Sequence, residues 1–159
     1  RNHSSAASDV YKRQKLAKKN NVNLMIPKDS INSYVFADNK NYKISESNKI
    51  PKDMIGLDIG PKTIFEYQSI IVKSKTIVWN GPMGVFEFKN FSNGTKMIAE
   101  SVVSSTQKGA FSLVGGGDSI SALKKFKLTS KVSYISTGGG ALLHFFEKKE
   151  LPAVQAILN

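Results

Sequence analysis

The sequence contains no cysteine, only two arginines and no long hydrophobic run, and each absence excludes a class of protein. Without cysteine, disulfide frameworks and thiolate metal sites are excluded. No apolar stretch approaches the roughly 20 residues that a membrane-spanning helix needs. The first residues also lack the hydrophobic segment of a secretory signal. We therefore expect a cytoplasmic enzyme or binding domain that has no membrane partner.

The charge is unbalanced, with 23 basic residues against 12 acidic ones and a formal net charge of +11. Such a charge is compatible with nucleic-acid binding. However, the lysines are scattered, the densest cluster is at residues 12–19, and aromatic residues do not alternate with them as stacking on bases requires. Base readout also favours arginine. A solvated lysine-rich surface that attracts anions fits better, and a basic nucleic-acid-binding domain is the weaker alternative.

Short apolar stretches, glycine-rich turns and helical patterns succeed one another along most of the chain. The pattern predicts strands at residues 22–26, 34–37, 76–79, 111–114 and 132–136, and helices at 15–20, 61–74, 91–106, 119–125, 141–147 and 153–158. It also predicts a turn at 56–60 and a loop or hairpin at 38–52. Strand, glycine turn and helix recur three times, which is typical of a parallel sheet with crossover helices. Residues 1–14 show little periodicity, and we interpret them as a non-native or disordered leader.

Two triple-glycine runs, at residues 115–117 and 138–140, each follow a predicted strand and precede a predicted helix. Glycine lets the backbone turn sharply and present its N–H groups to a ligand. A helix that begins there adds the positive end of its dipole, which favours phosphate. Neither run completes a P-loop or a dinucleotide fingerprint, and a plain capping turn remains the alternative for each. Because ligands of parallel sheets bind beyond the carboxyl ends of the strands, the runs predict a site for a polyanion at that edge.

Two carboxylates stand beside these turns. Asp118 directly follows the first glycine run, where it could hold Mg²⁺ next to bound phosphates. Alternatively, Asp118 or Ser119 could simply cap the following helix. Glu87 ends a third turn, which begins at Asn80, and it is suited to accept hydrogen bonds from a ribose. An exposed loop carboxylate is the alternative for Glu87.

Four motifs, in this order and spacing, resemble the carboxyl-terminal domain of phosphoglycerate kinases. They are Gly56-Leu-Asp-Ile-Gly-Pro61, Val78-Trp-Asn-Gly-Pro-Met-Gly-Val-Phe-Glu87, Gly115-Gly-Gly-Asp-Ser119 and Ser136-Thr-Gly-Gly-Gly-Ala141. The resemblance covers residues 15–159 and implies an α/β fold, a Rossmann-like three-layer parallel sheet flanked by helices. It also implies that the first strands of the domain and the whole triose-binding amino-terminal domain are missing. Leu142 stands where that family usually has serine.

The resemblance implies transfer of a phosphoryl group between 1,3-bisphosphoglycerate and ADP, giving 3-phosphoglycerate and ATP, in a monomeric enzyme of glycolysis. It assigns the adenosine pocket to Gly56, Leu57 and Pro82, the ribose to Glu87, and the nucleotide phosphates to Asn80, Gly116, Gly117, Asp118 and Ser119. It implies that Asp118 coordinates Mg²⁺, and that Gly117, Gly138, Gly139 and Gly140 face the phosphoryl group in transfer. We expect the chain to be inactive alone, and a non-catalytic nucleotide-binding module is the other interpretation.

Overall fold

The structure of the protein, a computed structural model, describes residues 3–148. Its elements in chain order are α1 (His3–Lys19), β1 (Asp29–Ser33), β2 (Tyr42–Glu46), β3 (Ile55–Ile59), α2 (Pro61–Ile71), β4 (Thr76–Asn80), α3 (Asn93–Gln107), β5 (Phe111–Gly115), α4 (Gly117–Lys125), β6 (Tyr134–Ser136) and α5 (Gly140–Lys148). Single 3₁₀ turns occur at Lys89–Phe91 and Thr129–Lys131. The helix predicted at 153–158 lies outside the described residues.

The predicted parallel sheet is confirmed. It consists of three strands in the order β4, β5, β6, and both neighbouring pairs are parallel. Each strand leads through a glycine-containing turn to one of the helices α3, α4 and α5. The chain is therefore an α/β protein with a Rossmann-like parallel sheet flanked by helices, as the sequence predicts.

The hydrophobic core lies between one face of this sheet and the helices. Trp79 and Val114 point from the sheet into a cluster with Ile98, Val103 and Leu123 of the helices. On the opposite face Val78, Phe111 and Tyr134 are exposed. Within residues 3–148, no strand pairs with the outer edge of β4. The absence of the first strands of the domain stays a prediction.

A second sheet, which is antiparallel with the order β2, β1, β3, corrects the prediction of a turn at residues 56–60. Residues 56–59 belong to β3, where Leu57 and Ile59 are buried. Pairing with β1 overrides the preference of Gly56 for a turn. Only Gly60 leaves the strand, and it directly precedes Pro61 at the start of α2, where the ring of proline fits a helix. Residues 38–52, where a loop or hairpin is predicted, contain one strand, β2, which pairs with β1 outside this segment.

The strands predicted at 22–26 and 34–37 are wrong. Residues 22–27 are irregular, because the apolar stretch finds no strand partner among the described residues. Residues 34–37 form a bend, and the strand lies earlier, at Asp29–Ser33. This strand is buried although it is polar, and hydrogen bonds compensate for the burial: the Asn32 amide donates to the carbonyl oxygen of Lys43 at 3.2 Å and to Ser45 Oγ at 3.0 Å.

The helix predicted to end near Asn20 is confirmed, since α1 ends at Lys19 and Asn21 has a left-handed φ of 54°. This helix begins at His3, inside the segment 1–14 that we interpret as a leader. The non-native origin of that segment stays a prediction. No helix in the described part of the chain is long and apolar enough to cross a membrane.

Candidate functional site

The carboxyl ends of the three parallel strands meet at one edge of the sheet. Asn80 of β4 is in register with Gly115 of β5, which is in register with Ser136 of β6. Because neighbouring strands lie about 4.8 Å apart, the turns that follow them are close neighbours. The side-chain amide of Asn80 reaches toward the next turn, since a Cβ atom added to Gly116 would lie 3.3 Å from its nitrogen. The structure thus brings Asn80 and Gly116 together.

The first glycine run opens α4 without a side-chain cap. Gly116 precedes the helix with a φ of 87°, a conformation that side chains rarely adopt, so glycine is required here. A Cβ atom at Gly117 would find no other atom within 4 Å, which shows that the first turn of α4 borders on open space. Asp118 is exposed in that turn. The interpretation of Asp118 or Ser119 as a cap is therefore wrong, and the amides at the start of α4 remain available to an anion.

Ser119 has a different environment from Asp118. Its side chain is fully buried, and its hydroxyl oxygen accepts a hydrogen bond from the backbone N–H of Gly81 at 2.7 Å. This bond joins the start of α4 to the turn that follows β4. Contact of Ser119 with phosphates stays a prediction.

The second glycine run adjoins the first. Gly139 has a φ of 47°, and the N–H of Ala141 closes the turn on the carbonyl oxygen of Gly138 at 2.9 Å. Leu142, in the first turn of α5, packs against β5, because a Cβ atom at Gly115 would come within 2.6 Å of its side chain. Added Cβ atoms at Gly139 and Gly140 would meet open space. Both glycine turns thus open to solvent at the same edge.

A cavity of about 390 Å³ borders on the start of β1 and the residues before it, on β3 and on the loop that follows β4. Its lining includes Ile26, Pro27 and Asp29 as well as Gly56, Leu57, Pro82, Met83, Gly84 and Val85. The structure therefore brings together the three residues to which the family resemblance assigns adenosine. The side chain of Leu57 is only 2% exposed and packs with Ile31 and Phe91, so it supports the wall from the core side.

Glu87 lies at the far end of the loop, outside the set of residues that line the cavity. Its side chain is exposed, as the alternative interpretation expected. The backbone at this point is held by Lys125 from the last turn of α4, whose Nζ donates to the carbonyl oxygens of Phe86 at 2.7 Å and Glu87 at 2.9 Å. The loop from Asn80 to Glu87 is thus tied to α4 near both of its ends.

A buried carboxylate supports this loop from beneath. Asp58 is 4% exposed and accepts hydrogen bonds from the backbone N–H groups of Gly94 at 2.7 Å and Ile59 at 2.9 Å. Burial raises the pKa of Asp58 to about 6, although the hydrogen bonds from Gly94 and Ile59 act in the opposite direction. A Cβ atom on Gly84 or Gly94 would overlap its carboxylate, so two glycines make room for it.

Sequence reasoning missed three residues that hold the site in place: Asp58, Thr95 and Lys125. Thr95 accepts hydrogen bonds from the N–H groups of Met83 and Gly84 at 3.1 and 3.2 Å. A threonine in the first turn of an amphipathic helix and a lysine in the last turn are ordinary choices, so their residue types gave no signal. Asp58 lies inside the first family-like motif, and its position between Leu57 and Ile59 was the one available indication that it is buried.

Comparisons with known proteins agree on one family. The family model described as phosphoglycerate kinase matches residues 2–149. A phosphoglycerate kinase of Porphyromonas gingivalis is 48% identical over 151 residues, which are 95% of this chain and 35% of that protein. One of Candida albicans is 43% identical over 98% of this chain and 37% of that protein.

The solved structure of phosphoglycerate kinase from Coxiella burnetii superposes with a TM-score of 0.82 at 39% identity, over 95% of this chain and 37% of that one. The similarity of sequence and the similarity of backbone therefore coincide over nearly the whole chain. The chain spans a little more than a third of the length of the curated relatives it matches, since the two shares are 35% and 37%.

Proposed function

The chain belongs to the phosphoglycerate kinase family, and from this premise we propose that it carries the Mg-nucleotide side of an enzyme that transfers a phosphoryl group between 1,3-bisphosphoglycerate and ADP. The triose would bind to the part of the family's chain that this one does not match. We also propose that the enzyme is cytoplasmic and monomeric and that it acts in glycolysis. A chain with one of two substrate sites is inactive alone.

One observation supports the nucleotide assignment most strongly: three turns with accessible backbone lie side by side at the carboxyl edge of a parallel sheet. Asn80, Gly115 and Ser136 are in register there, and α4 and α5 begin directly beyond two of them. Backbone N–H groups and two helix starts provide positive potential without any bulky side chain. Such an edge matches a chain of phosphates rather than a flat, neutral ligand.

The residues present fit a magnesium ion that is bound mainly by the nucleotide. Asp118 is exposed at the start of α4, and the described residues contain no group of three His, Cys, Asp or Glu side chains that could hold a metal by themselves. Mg²⁺ commonly binds through one or two carboxylates together with substrate phosphates and water. When bound, the ion would supply the charge neutralisation that phosphoryl transfer needs.

In this proposal each group of residues binds one part of the nucleotide or the transferred phosphoryl group. Gly56, Leu57 and Pro82 receive the adenosine in the cavity, and Glu87 accepts hydrogen bonds from the ribose. Asn80 and residues 116–119 bind the phosphates. The amides of residues 138–140 hold the transferred group in line with the attacking oxygen, which is the chief requirement of this reaction.

Titration calorimetry of the 159-residue chain with ADP and Mg²⁺ tests the binding assignment. We expect saturable binding of Mg-ADP, and a folded chain that binds neither ADP nor ATP would contradict the proposal. A coupled assay of ATP consumption with 3-phosphoglycerate should show no turnover. Turnover by the chain alone would refute the prediction of inactivity. A longer chain that also contains the part of the family's length not matched here could bind Mg-ADP and still show no turnover. That outcome would indicate a non-catalytic nucleotide-binding module.

The substitution Asp118→Asn tests the metal assignment, with Asp53→Asn in an exposed turn as the matched control. Affinity for ADP in the presence of Mg²⁺ should fall about tenfold, which corresponds to the loss of one charge-assisted contact. Without Mg²⁺ the same substitution should leave the affinity unchanged or raise it, because it removes a charge that repels the phosphates. An equal loss under both conditions would contradict metal coordination by Asp118.

A further inference from the structure

The loop at residues 81–85 has no regular secondary structure, yet its backbone is held at several points by other elements. The N–H groups of Met83 and Gly84 both donate to the hydroxyl oxygen of Thr95, at 3.1 and 3.2 Å. The next N–H, that of Val85, donates to the carbonyl oxygen of Leu57 at 2.8 Å. Consecutive amides are therefore fixed between α3 and β3.

Thr95 is itself firmly placed. Its side chain is fully buried in the first turn of α3. The preceding residue, Gly94, donates its N–H to the carboxylate of Asp58 at 2.7 Å, which ties the start of α3 to β3. Because a Cβ atom on Gly84 would also overlap this carboxylate, the loop, α3 and β3 meet at Asp58 without a gap. The hydroxyl of Thr95 is thus held in a fixed position by the buried first turn of α3.

The amides held by Thr95 belong to the wall of the cavity described above. Met83 and Gly84 line it together with Pro82, Val85 and Gly56. Thr95 is absent from the lining and stands behind this wall. The contacts of this region with α4 involve other residues, since Ser119 accepts the N–H of Gly81 and Lys125 donates to the carbonyl oxygens of Phe86 and Glu87. Thr95 therefore holds the amides of Met83 and Gly84 from α3 and makes no hydrogen bond to α4.

We propose that Thr95 is a positioning residue, which sets the loop Pro82–Val85 for the nucleoside part of the ligand and has no part in binding its phosphates. This inference rests on the proposed nucleotide function. Threonine is suited to the position because one hydroxyl oxygen can accept two amides while its methyl group occupies buried space. Valine would fill the same space and leave both N–H groups without an acceptor, which is costly when they are partly buried.

Thr95→Val is the test variant, Thr95→Ser is the conservative rescue, and Thr106→Val is the matched control. Thr106 lies near the other end of α3, where its hydroxyl donates to the carbonyl oxygen of Val102 at 2.8 Å and forms a hydrogen bond of 2.7 Å with the hydroxyl of Ser112, so the control loses a threonine hydroxyl on the same helix away from the loop. Dissociation constants are measured for ADP and for tripolyphosphate, a probe without a nucleoside.

In Thr95→Val, we expect ADP to bind about fivefold to tenfold more weakly and tripolyphosphate to bind within about twofold of the original affinity. Thr95→Ser and Thr106→Val should retain affinity for both probes. Equal changes for the two probes, or unchanged ADP binding in a folded Thr95→Val, would overturn the proposal.

Hydrogen exchange of the ligand-free chain tests the anchoring independently of any nucleotide. The amides of Met83 and Gly84 should be protected in the original chain, and Thr95→Val should accelerate their exchange about tenfold relative to that of other loop amides. If these amides are unprotected in the original chain, the proposal is wrong even where nucleotide binds. If they are protected but ADP does not bind, the proposed nucleotide function fails while the anchoring itself stands.

Discussion

The carboxylate of Asp29 accepts two hydrogen bonds from Thr63, one from its backbone N–H at 2.9 Å and one from its hydroxyl at 2.6 Å. The other carboxylate oxygen accepts the N–H of Lys62 at 3.0 Å. A strand residue thus caps a helix that begins much later in the chain. Burial alone would raise the pKa of Asp29, but the hydrogen bonds from Thr63 and Lys62 outweigh it, so the pKa is lowered.

Asp29→Ala should therefore destabilise the chain by about 2 kcal/mol, because it leaves the first amides of α2 without an acceptor. Urea denaturation at neutral pH measures this difference, and Asp53→Ala in an exposed turn serves as the control. A loss no larger than that of the control would show that Asp29 does not cap α2.

The same contacts make the effect of Asp29 depend on pH. A carboxylate whose pKa is lower in the folded state stabilises above its unfolded pKa of about 3.9, and this contribution is lost as the pH falls through the folded pKa. The difference in unfolding free energy between the original chain and Asp29→Ala should thus shrink as the pH falls below about 4. A constant difference down to about pH 2 would contradict this linkage.

Gly60 leaves the space that the cap requires, since a Cβ atom there would overlap the carboxylate of Asp29. Gly60→Ala should cost about 2 kcal/mol in the original chain by displacing that carboxylate, and clearly less in the Asp29→Ala background, where no carboxylate remains. A double-mutant cycle by urea denaturation measures the coupling. Additive losses would mean that the glycine is required for another reason.

The parallel half of the fold could be predicted because its signals are local. At residues 111–125 an apolar strand, a glycine turn and a helix follow one another directly, and the structure places them as β5, Gly116 and α4. Parallel pairing alone places the carboxyl ends of neighbouring strands at the same edge of the sheet. The joint location of Asn80 and both glycine runs at one edge was therefore accessible from the sequence.

The antiparallel half could not be predicted, since it depends on contacts between distant parts of the chain. The strand at Asp29–Ser33 carries four polar residues out of five, and it is buried only because partners such as Thr63 and Ser45 satisfy them. Conversely, residues 22–26 have the apolar pattern of a strand, but no strand among the described residues pairs with them. The supporting roles of Asp58 and Thr95 depend on tertiary contacts for the same reason.

The buried carboxylate of Asp58 predicts a second, opposite pH dependence. Its folded pKa of about 6 lies above the unfolded value of about 3.9, so the folded state holds this proton more tightly. Stability from this group is present below the unfolded pKa and is lost as the pH rises through about 6. From about pH 4 to about pH 7, the unfolding free energy of the original chain relative to Asp58→Asn should fall by on the order of 2–3 kcal/mol.

Urea denaturation of both chains at several pH values checks this dependence, with Asp53→Asn treated identically. Titration of the Asp58 carboxyl carbon by NMR gives the pKa directly. A midpoint near 4 in the folded chain would contradict the effect of burial.

The two glycines at the start of α4 differ in their backbone conformation and in their surroundings. Gly116 has a φ of 87°, so Gly116→Ala should destabilise the chain by about 1 kcal/mol, as should Gly109→Ala, a control with a φ of 96° in a distant turn. Gly117 is unstrained and borders on open space, so Gly117→Ala should fold with unchanged or slightly higher stability. Its methyl group would nevertheless enter the space assigned to the phosphates, and affinity for Mg-ADP should fall about tenfold. Folded Gly109→Ala should bind Mg-ADP with the original affinity. This control separates the effect of backbone strain from the effect of a methyl group that contacts the phosphates. If Gly117→Ala binds Mg-ADP as well as the original chain does, the phosphates do not contact the amides at the start of α4.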